Sequence, residues 1–129
     1  THGKYVPITI KIAPDLQKEA IEGLAGVFSE TKIDGVIATN TTISREAVKS
    51  HPLGNETGGL SGAPLTDHST EVIKILRAAL DDSIPIIGAG GIMNGDHAKA
   101  KVEAGADLVQ IYSGLVYRGP ALVKECAGV

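Results

Sequence analysis

Two glycine-containing turns in this sequence have the residue types that hold a phosphate group. The first, Gly88–Gly91, follows an apolar run directly and precedes Asn94, a residue suited to capping a helix. Glycines let the backbone approach an anion closely, and free N–H groups at a helix start attract negative charge. The second turn, Tyr112–Gly114, ends another apolar run and adds the Ser113 hydroxyl. Two such turns after neighbouring strands favour a phosphate site over simple tight turns.

Three other segments carry polar groups that suit a ligand. Lys11 interrupts an apolar strand, where it either meets an anionic cofactor at a barrel mouth or reaches water from an edge strand; the pattern leaves both open. The run Thr39–Thr42 has only hydrogen-bonding side chains, which suits orienting a planar polar ligand or forming a polar turn. The segment Glu56–Gly62 has three glycines, Gly58, Gly59 and Gly62, and is typical of a mobile loop that lies against a ligand.

The remaining reactive side chains have a structural interpretation. The four histidines lack metal-ligand spacing and are predicted to lie at the surface: His2, His51, His68 and His97. Cys126 is predicted to be a small packing residue on the last helix. No Ser-His-Asp order and no pair of acids supports a hydrolytic site, so no catalytic residue and no metal ligand is assigned.

Apolar runs predict four strands that would position these residues: Ile8–Ile12, Gly35–Thr39, Ile84–Gly88 and Leu108–Tyr112. Helical patterns separate the runs. The predicted helix starts are Asp15, Ser69, Asn94 and a position near Pro120, and Gly105 is predicted to end the third helix. The apolar stripes of the first three helices are Leu16, Ala20, Ile21, Leu24, Ala25 and Phe28; Val72, Ile73, Leu76, Ala79 and Leu80; and Ala98 and Val102.

Strands that alternate with helices predict an α/β fold with a parallel sheet and right-handed crossovers. Four β/α units fill the 129 residues, whereas a closed (β/α)8 barrel needs about 250. The pattern alone leaves open a half barrel and a doubly wound sheet of four strands. A half barrel exposes two strand edges and an apolar concave face, so it predicts a fragment, one part of a split protein or a self-associating half.

Composition excludes several classes of protein. The formal net charge is −3 and no stretch is strongly basic, which argues against a nucleic-acid partner. A single cysteine, Cys126, forms no internal disulfide and fits a reducing compartment. No apolar run approaches the roughly 18 residues of a membrane span, and the N-terminus is not typical of a signal peptide.

Five stretches together resemble the quinone-linked, or class 2, dihydroorotate dehydrogenases. They occur in the family's order over essentially the whole chain: Lys11–Leu16, Asp34–Thr42, Glu56–Leu65, Pro85–Ile92 and Ala104–Gly114. The resemblance implies the C-terminal half of a TIM barrel, strands 5 to 8 with their helices, in one domain over residues 1–129. Any one stretch, above all the Gly-Gly turn, also occurs in other FMN barrels.

The resemblance also implies a cofactor and a reaction. FMN would place its phosphate between Gly90–Gly91 and Tyr112–Ser113, with Lys11 beside the flavin ring, Thr39 in contact with FMN and the loop at Ser61–Gly62 over part of it. Asn40 and Thr41 would hydrogen-bond orotate. The family passes a hydride from dihydroorotate to the flavin, which a quinone reoxidises, in pyrimidine biosynthesis. The flavin carries the redox chemistry and the protein supplies position and electrostatics.

The chain departs from the family by lacking the first four strands, the N-terminal helices of the quinone tunnel and membrane contact, and the serine base. Ser61 and Ser113 do not match that serine, so we expect the isolated chain to be inactive. For a bacterial protein the resemblance implies attachment to the cytoplasmic face of the inner membrane through the missing region, with this fragment itself soluble. Two alternatives stay open: another FMN barrel, such as a class 1 enzyme or a dihydropyrimidine dehydrogenase domain, and a non-catalytic half barrel that assembles with itself.

Overall fold

The computed structural model describes residues 3–129, so His2 lies outside the described residues. Within them the chain forms a single parallel sheet of four short strands in sequential order. The strands are β1 (Thr9–Ile12), β2 (Gly35–Ala38), β3 (Ile86–Ala89) and β4 (Leu108–Gln110). All four predicted strands are confirmed, although β3 begins two residues later than predicted and β4 ends two residues earlier.

The sequential strand order settles the choice between the two predicted architectures. A doubly wound sheet reverses its strand order at a switch point, which sends its helices to both faces. Here each strand pairs with the next one along the chain, from β1 to β4. The arrangement is therefore that of consecutive β/α units of a TIM barrel, and the predicted fold class is confirmed.

Five α-helices connect and follow the strands in the described part of the chain. They are α1 (Lys18–Thr31), α2 (Thr66–Ala79), α3 (Gly95–Glu103), α4 (Ser113–Arg118) and α5 (Ala121–Cys126). The pattern predicted α1, α2, α3 and a helix near Pro120, which is α5. It missed α4, which is too short to show an apolar stripe and begins after Tyr112 without a capping side chain, whereas Pro120 marks the equally short α5.

Two of the predicted helix caps are wrong. Gln17, not Asp15, is the N-cap of α1. Asp15 instead accepts hydrogen bonds from Thr42 Oγ1 and from the Ile43 N–H, the latter at 3.0 Å. Ser69 lies inside α2, which begins three residues earlier at Thr66. The Asn94 cap is confirmed, since its Oδ1 accepts the His97 N–H at 2.8 Å.

The core lies between the sheet and the helices. Buried residues of α1 and α2 pack on Val36, Ala38 and Ile86 of the sheet. The apolar stripes of α1 and α2 are largely confirmed, with Ala20 and Ala79 exposed instead of buried. The stripe of α3 is wrong in one position: Val102 is 44% exposed, whereas Lys101 is fully buried.

The opposite face of the sheet is open. Register places Lys11, Ile37, Ile87 and Leu108 in one row across the four strands, and none of them is buried. The outer strands β1 and β4 each have one neighbour in the described chain. None of the helices in residues 3–129 combines the length and the apolar character needed to cross a membrane.

Candidate functional site

A cleft of about 460 Å³ lies at the carboxyl ends of the strands, and polar and glycine residues line much of it. Ligands of parallel α/β folds bind at this end, and small-molecule pockets have volumes of this order. All eight predicted ligand-binding residues line this one cleft: Lys11, Thr39, Asn40, Thr41, Gly62, Gly91, Tyr112 and Ser113. The fold thus brings together segments that lie up to 102 positions apart in the sequence.

The glycine loop, defined as Gly88–Gly91, forms one wall of the cleft. Gly90 and Gly91 have φ angles of 114° and 70°, which disfavour any residue with a side chain. A Cβ on Gly91 would lie 2.4 Å from the backbone nitrogen of Thr66, so a methyl group does not fit behind the loop. Within residues 3–129 the Gly91 N–H donates to no protein acceptor, which leaves it available to a ligand.

A second turn, at Tyr112–Gly114, faces the glycine loop. Gly114 is needed there because an added Cβ would lie 2.1 Å from the Ile92 carbonyl oxygen. Ser113 Oγ lies 2.9 Å from Ser61 Oγ, which joins this turn to the glycine-rich segment Glu56–Gly62. Two loops after adjacent strands are therefore held close together, as in the phosphate sites of many barrels.

Lys11 is the one charged side chain among the described residues that line the cleft. It lies on β1 and is exposed, so its ammonium keeps its hydration without a ligand. Both interpretations of Lys11 fit this position, because the residue lies on the outer strand β1 with access to water and also lines the cleft. One cation among neutral donors and acceptors favours a ligand with negative charge.

The polar residues that follow β2 also line the cleft. Thr39 is 3% exposed, and its N–H donates to the Ala89 carbonyl oxygen at 2.8 Å. Asn40 and Thr41 are exposed, and Asn40 Oδ1 accepts the Thr41 N–H at 2.9 Å. The Asn40 amide group and the Thr41 hydroxyl can therefore reach a ligand in the cleft.

A chain of contacts positions the segment that follows. Thr42 and Leu60 form an antiparallel bridge through backbone hydrogen bonds of 3.0 and 2.8 Å. Arg45 donates to the carbonyl oxygens of Glu56, at 3.2 Å, and of Gly58. Asp15 fixes the start of the segment through Thr42 and the Ile43 N–H. These contacts hold the glycine-rich segment beside Thr41, with most of its residues exposed.

The histidines and the cysteine mostly lie where the sequence placed them. His51 and His68 are exposed as predicted, and Cys126 is 5% exposed in a small apolar cluster, where burial raises its thiol pKa. The prediction for His97 is wrong, because its ring is half-buried against the glycine loop. His97 Nδ1 lies 3.2 Å from the Met93 nitrogen and 3.1 Å from the Gly91 carbonyl oxygen.

Sequence reasoning missed the residues behind the glycine loop. Ser69 Oγ donates to the Gly90 carbonyl oxygen at 3.0 Å, and Thr66 Oγ1 donates to the Gly91 carbonyl oxygen at 2.6 Å. Lys101 is buried beside them, and burial lowers its pKa to about 8, a shift that the charge of Asp67 opposes. The available signal was the position of Lys101 three residues after Ala98, on the same face of α3.

Comparison with known proteins identifies one family. A family model described as dihydroorotate dehydrogenase matches residues 2–127. Two relatives named dihydroorotate dehydrogenase (quinone) are those of Janthinobacterium sp. (strain Marseille), 60% identical, and Cupriavidus taiwanensis, 59% identical. Both matches cover 98% of this chain, but 36% and 37% of the respective relatives.

Solved structures show the same similarity. A crystal structure of DHODH from Eimeria tenella in complex with ferulenol aligns with a TM-score of 0.89 and 40% identity. That alignment covers 98% of this chain and 34% of the Eimeria chain. A ligand-free form from the same organism aligns with a TM-score of 0.85 over 92% of this chain and 33% of the other. The chain therefore spans about a third of the length of the proteins that it matches.

Proposed function

Because the chain belongs to the dihydroorotate dehydrogenase family, we propose that it supplies the FMN phosphate site and part of the orotate site of a dihydroorotate dehydrogenase (quinone). The observation that carries the proposal is the single cleft that gathers all eight predicted residues and contains one cation, Lys11. In the complete enzyme the reaction would be the oxidation of dihydroorotate to orotate in pyrimidine biosynthesis, with a quinone as the final electron acceptor.

The phosphate end of FMN fits between the glycine loop and the second turn. Gly91 and Ser113 offer backbone N–H groups, and the Ser113 hydroxyl can donate to a phosphate oxygen. Several donors directed at one anion suit a phosphate dianion better than a neutral group. Tyr112, which is 82% exposed, would contact the cofactor from the side of β4.

The ring end of FMN would lie toward Lys11, which lines the cleft at β1. When bound, the flavin would accept the hydride from dihydroorotate. Lys11 would lie beside the ring and stabilise negative charge that develops on it, because an unpaired ammonium lowers the energy of a nearby anion. Thr39 would contact the cofactor from just after β2. Gly62, whose φ angle is 84°, would allow the glycine-rich segment Glu56–Gly62 to approach the cofactor closely.

Asn40 and Thr41 would orient the substrate. An amide group both donates and accepts hydrogen bonds, as do the ring amides of orotate, so the two can pair along one edge. The described residues that line the cleft include no carboxylate and no imidazole. We therefore place the proton acceptor for dihydroorotate in a part of the enzyme outside this chain, and we propose that the isolated chain does not turn over.

The open face and the two outer strands of the sheet also suit a partner that completes the active site. β1 and β4 each have one neighbour in the described chain, and Ile8 and Leu108 are 65% and 61% exposed near these edges. We propose that the first half of a barrel covers these edges, and that contact with the membrane and with the quinone comes from N-terminal helices outside this chain. Self-association of two copies is the alternative that the same exposed surface supports.

A chimera tests the proposed function. This chain would replace the matching region of the Janthinobacterium relative, which is 60% identical over 126 residues. We expect the chimera to bind FMN and to reduce quinone with dihydroorotate, and the isolated chain to show no turnover. A Lys11→Ala variant of the chimera should lower turnover, whereas Lys18→Ala, which alters an exposed lysine on α1, should leave it unchanged. A folded chimera without flavin would contradict the proposal, as would turnover by the isolated chain.

A further inference from the structure

Lys101 lies on α3 and has no exposed surface. Its side chain lies between α2 and the strand β3. Its Nζ donates three hydrogen bonds of 2.6 Å, to the Thr66 carbonyl oxygen, Ser69 Oγ and Thr70 Oγ1. All three partners lie in the first two turns of α2. A charged ammonium has three hydrogens, so this set of acceptors uses all of them.

The partners of Lys101 connect it to the glycine loop. Ser69 Oγ accepts from Lys101, and its own hydrogen has two acceptors in reach, the Gly90 carbonyl oxygen at 3.0 Å and the Thr66 carbonyl oxygen at 3.2 Å. Thr66 binds Lys101 through its carbonyl oxygen and binds the Gly91 carbonyl oxygen through its hydroxyl, at 2.6 Å. The hydroxyl groups of Ser69 and Thr66 thus direct the two carbonyl groups of the loop toward α2. Lys101 contacts Ser69 at the hydroxyl itself and Thr66 at its backbone carbonyl oxygen.

The direction of these carbonyl groups determines whether the backbone N–H groups of the loop face the cleft. Where consecutive carbonyl groups are held on one side, the N–H groups are free to face an anion on the other. A buried cation two hydrogen bonds behind Gly90 also favours negative charge at the loop, because the protein interior screens it weakly.

We propose that Lys101 is a positioning residue for the anion site at Gly90–Gly91, acting through Ser69 and Thr66 and through its buried charge. The inference rests on the proposed phosphate site and adds a residue that does not touch the ligand. A purely structural lysine would be costly here, since a long apolar side chain fills the same space without desolvating a charge.

Two flavins separate the effect on the phosphate from effects on the ring and on folding. FMN and riboflavin differ by the phosphate group, so the ratio of their dissociation constants reports the phosphate site. We would titrate both onto the flavin-free chimera and follow flavin fluorescence, for wild type, Lys101→Met and the control Lys99→Met. Lys99 lies on the same helix, exposed and paired with Glu103 at 3.8 Å.

We expect Lys101→Met to lower FMN affinity about tenfold and to leave riboflavin affinity unchanged, with Lys99→Met like wild type. Ser69→Ala and Thr66→Val remove single bonds to the loop and should each lower the ratio by a smaller factor. These two variants decide the matter if Lys101→Met does not fold. A wild type that binds both flavins equally would overturn the phosphate site and this inference together. A wild type that prefers FMN, with variants that keep the same preference, would overturn the role of Lys101 alone.

Discussion

The two ends of the cleft are held in different ways. The glycine loop is supported from behind by Ser69 and Lys101, both fully buried. The covering segment, defined as residues 43–62, is held at its start by Asp15 and near its end by the bridge from Thr42 to Leu60, and Arg45 bonds across it. It consists of mostly exposed turns and one short 3-10 helix, Glu46–Val48. Ile43 and Leu53 of this segment are 77% and 63% exposed.

The difference suits the two tasks that we propose for the cleft. A phosphate group needs several donors at fixed positions, which buried hydrogen bonds provide. A substrate that enters and leaves needs a cover of lower local stability, and exposed turns with few apolar contacts provide that. We therefore expect substitutions at the buried glycine loop to reduce stability more than substitutions in the exposed covering segment.

The largest effect is expected from Gly91→Ala. An added methyl group would press on the backbone of Thr66 at a φ angle of 70°, so we expect a loss of about 3–5 kcal/mol in the free energy of unfolding. Gly58→Ala is the matched control, because φ there is 116° but no atom lies within 4 Å of the added Cβ. It should lose only about 1–2 kcal/mol. Equal losses in urea denaturation would contradict the tight packing behind the glycine loop.

The next effect is a pH dependence that comes from Lys101. Its pKa is lowered from 10.5 to about 8 on folding, so between these values the unfolded chain binds more protons. Stability from this group therefore rises with pH, by about 2 kcal/mol from pH 8 to pH 10. The measurement is urea denaturation of wild type and Lys101→Met across that range. A difference between the two that does not change with pH would show that Lys101 titrates normally.

A smaller effect is expected from Asp15→Asn. The substitution keeps the shape of the side chain but turns one acceptor into a donor, facing donors from Thr42 and Ile43. We expect a loss of about 1 kcal/mol and faster hydrogen exchange at Thr42 and Leu60. The glycine loop should exchange as in wild type. Faster exchange at Gly90 and Gly91 as well would mean that the two ends of the cleft are coupled.

The smallest effect is expected from Arg45→Ala. Its guanidinium bonds carbonyl oxygens of Glu56 and Gly58 in an exposed setting, so the change in unfolding free energy should be about 0.5 kcal/mol or less. Proteolysis should nonetheless cleave the covering segment faster. Lys49→Ala, which removes an exposed ion pair with Glu46, is the control and should leave the cleavage rate unchanged.

Much of the fold could be predicted from the sequence, because its strands are runs of branched aliphatic residues separated by amphipathic helices. The cap at Asn94 was also readable, since the helical pattern follows it at once. Asp15 and Ser69 were misassigned because their partners, Thr42 and Gly90, lie 27 and 21 positions away. Cap prediction uses only neighbouring residues in the sequence, so it does not include contacts that form between distant residues on folding.

The residues of the site also differ in how far the sequence predicts them. Most residues that line the cleft follow the end of a strand, so the sequence pattern predicts where they lie. The residues behind the glycine loop could not be predicted in this way. A lysine on an amphipathic helix is usually exposed, and the burial of Lys101 depends on the packing of α3 against α2. Only tertiary structure shows that its three acceptors converge.

The most direct test of the account is a crystal structure with FMN bound, determined for the chimera. We predict the phosphorus atom between the N–H groups of Gly91 and Ser113, with Lys11 beside the ring and Asn40 and Thr41 on the substrate side. A phosphate that lies instead against Lys11, or FMN bound away from the cleft at Gly91 and Tyr112, would contradict it.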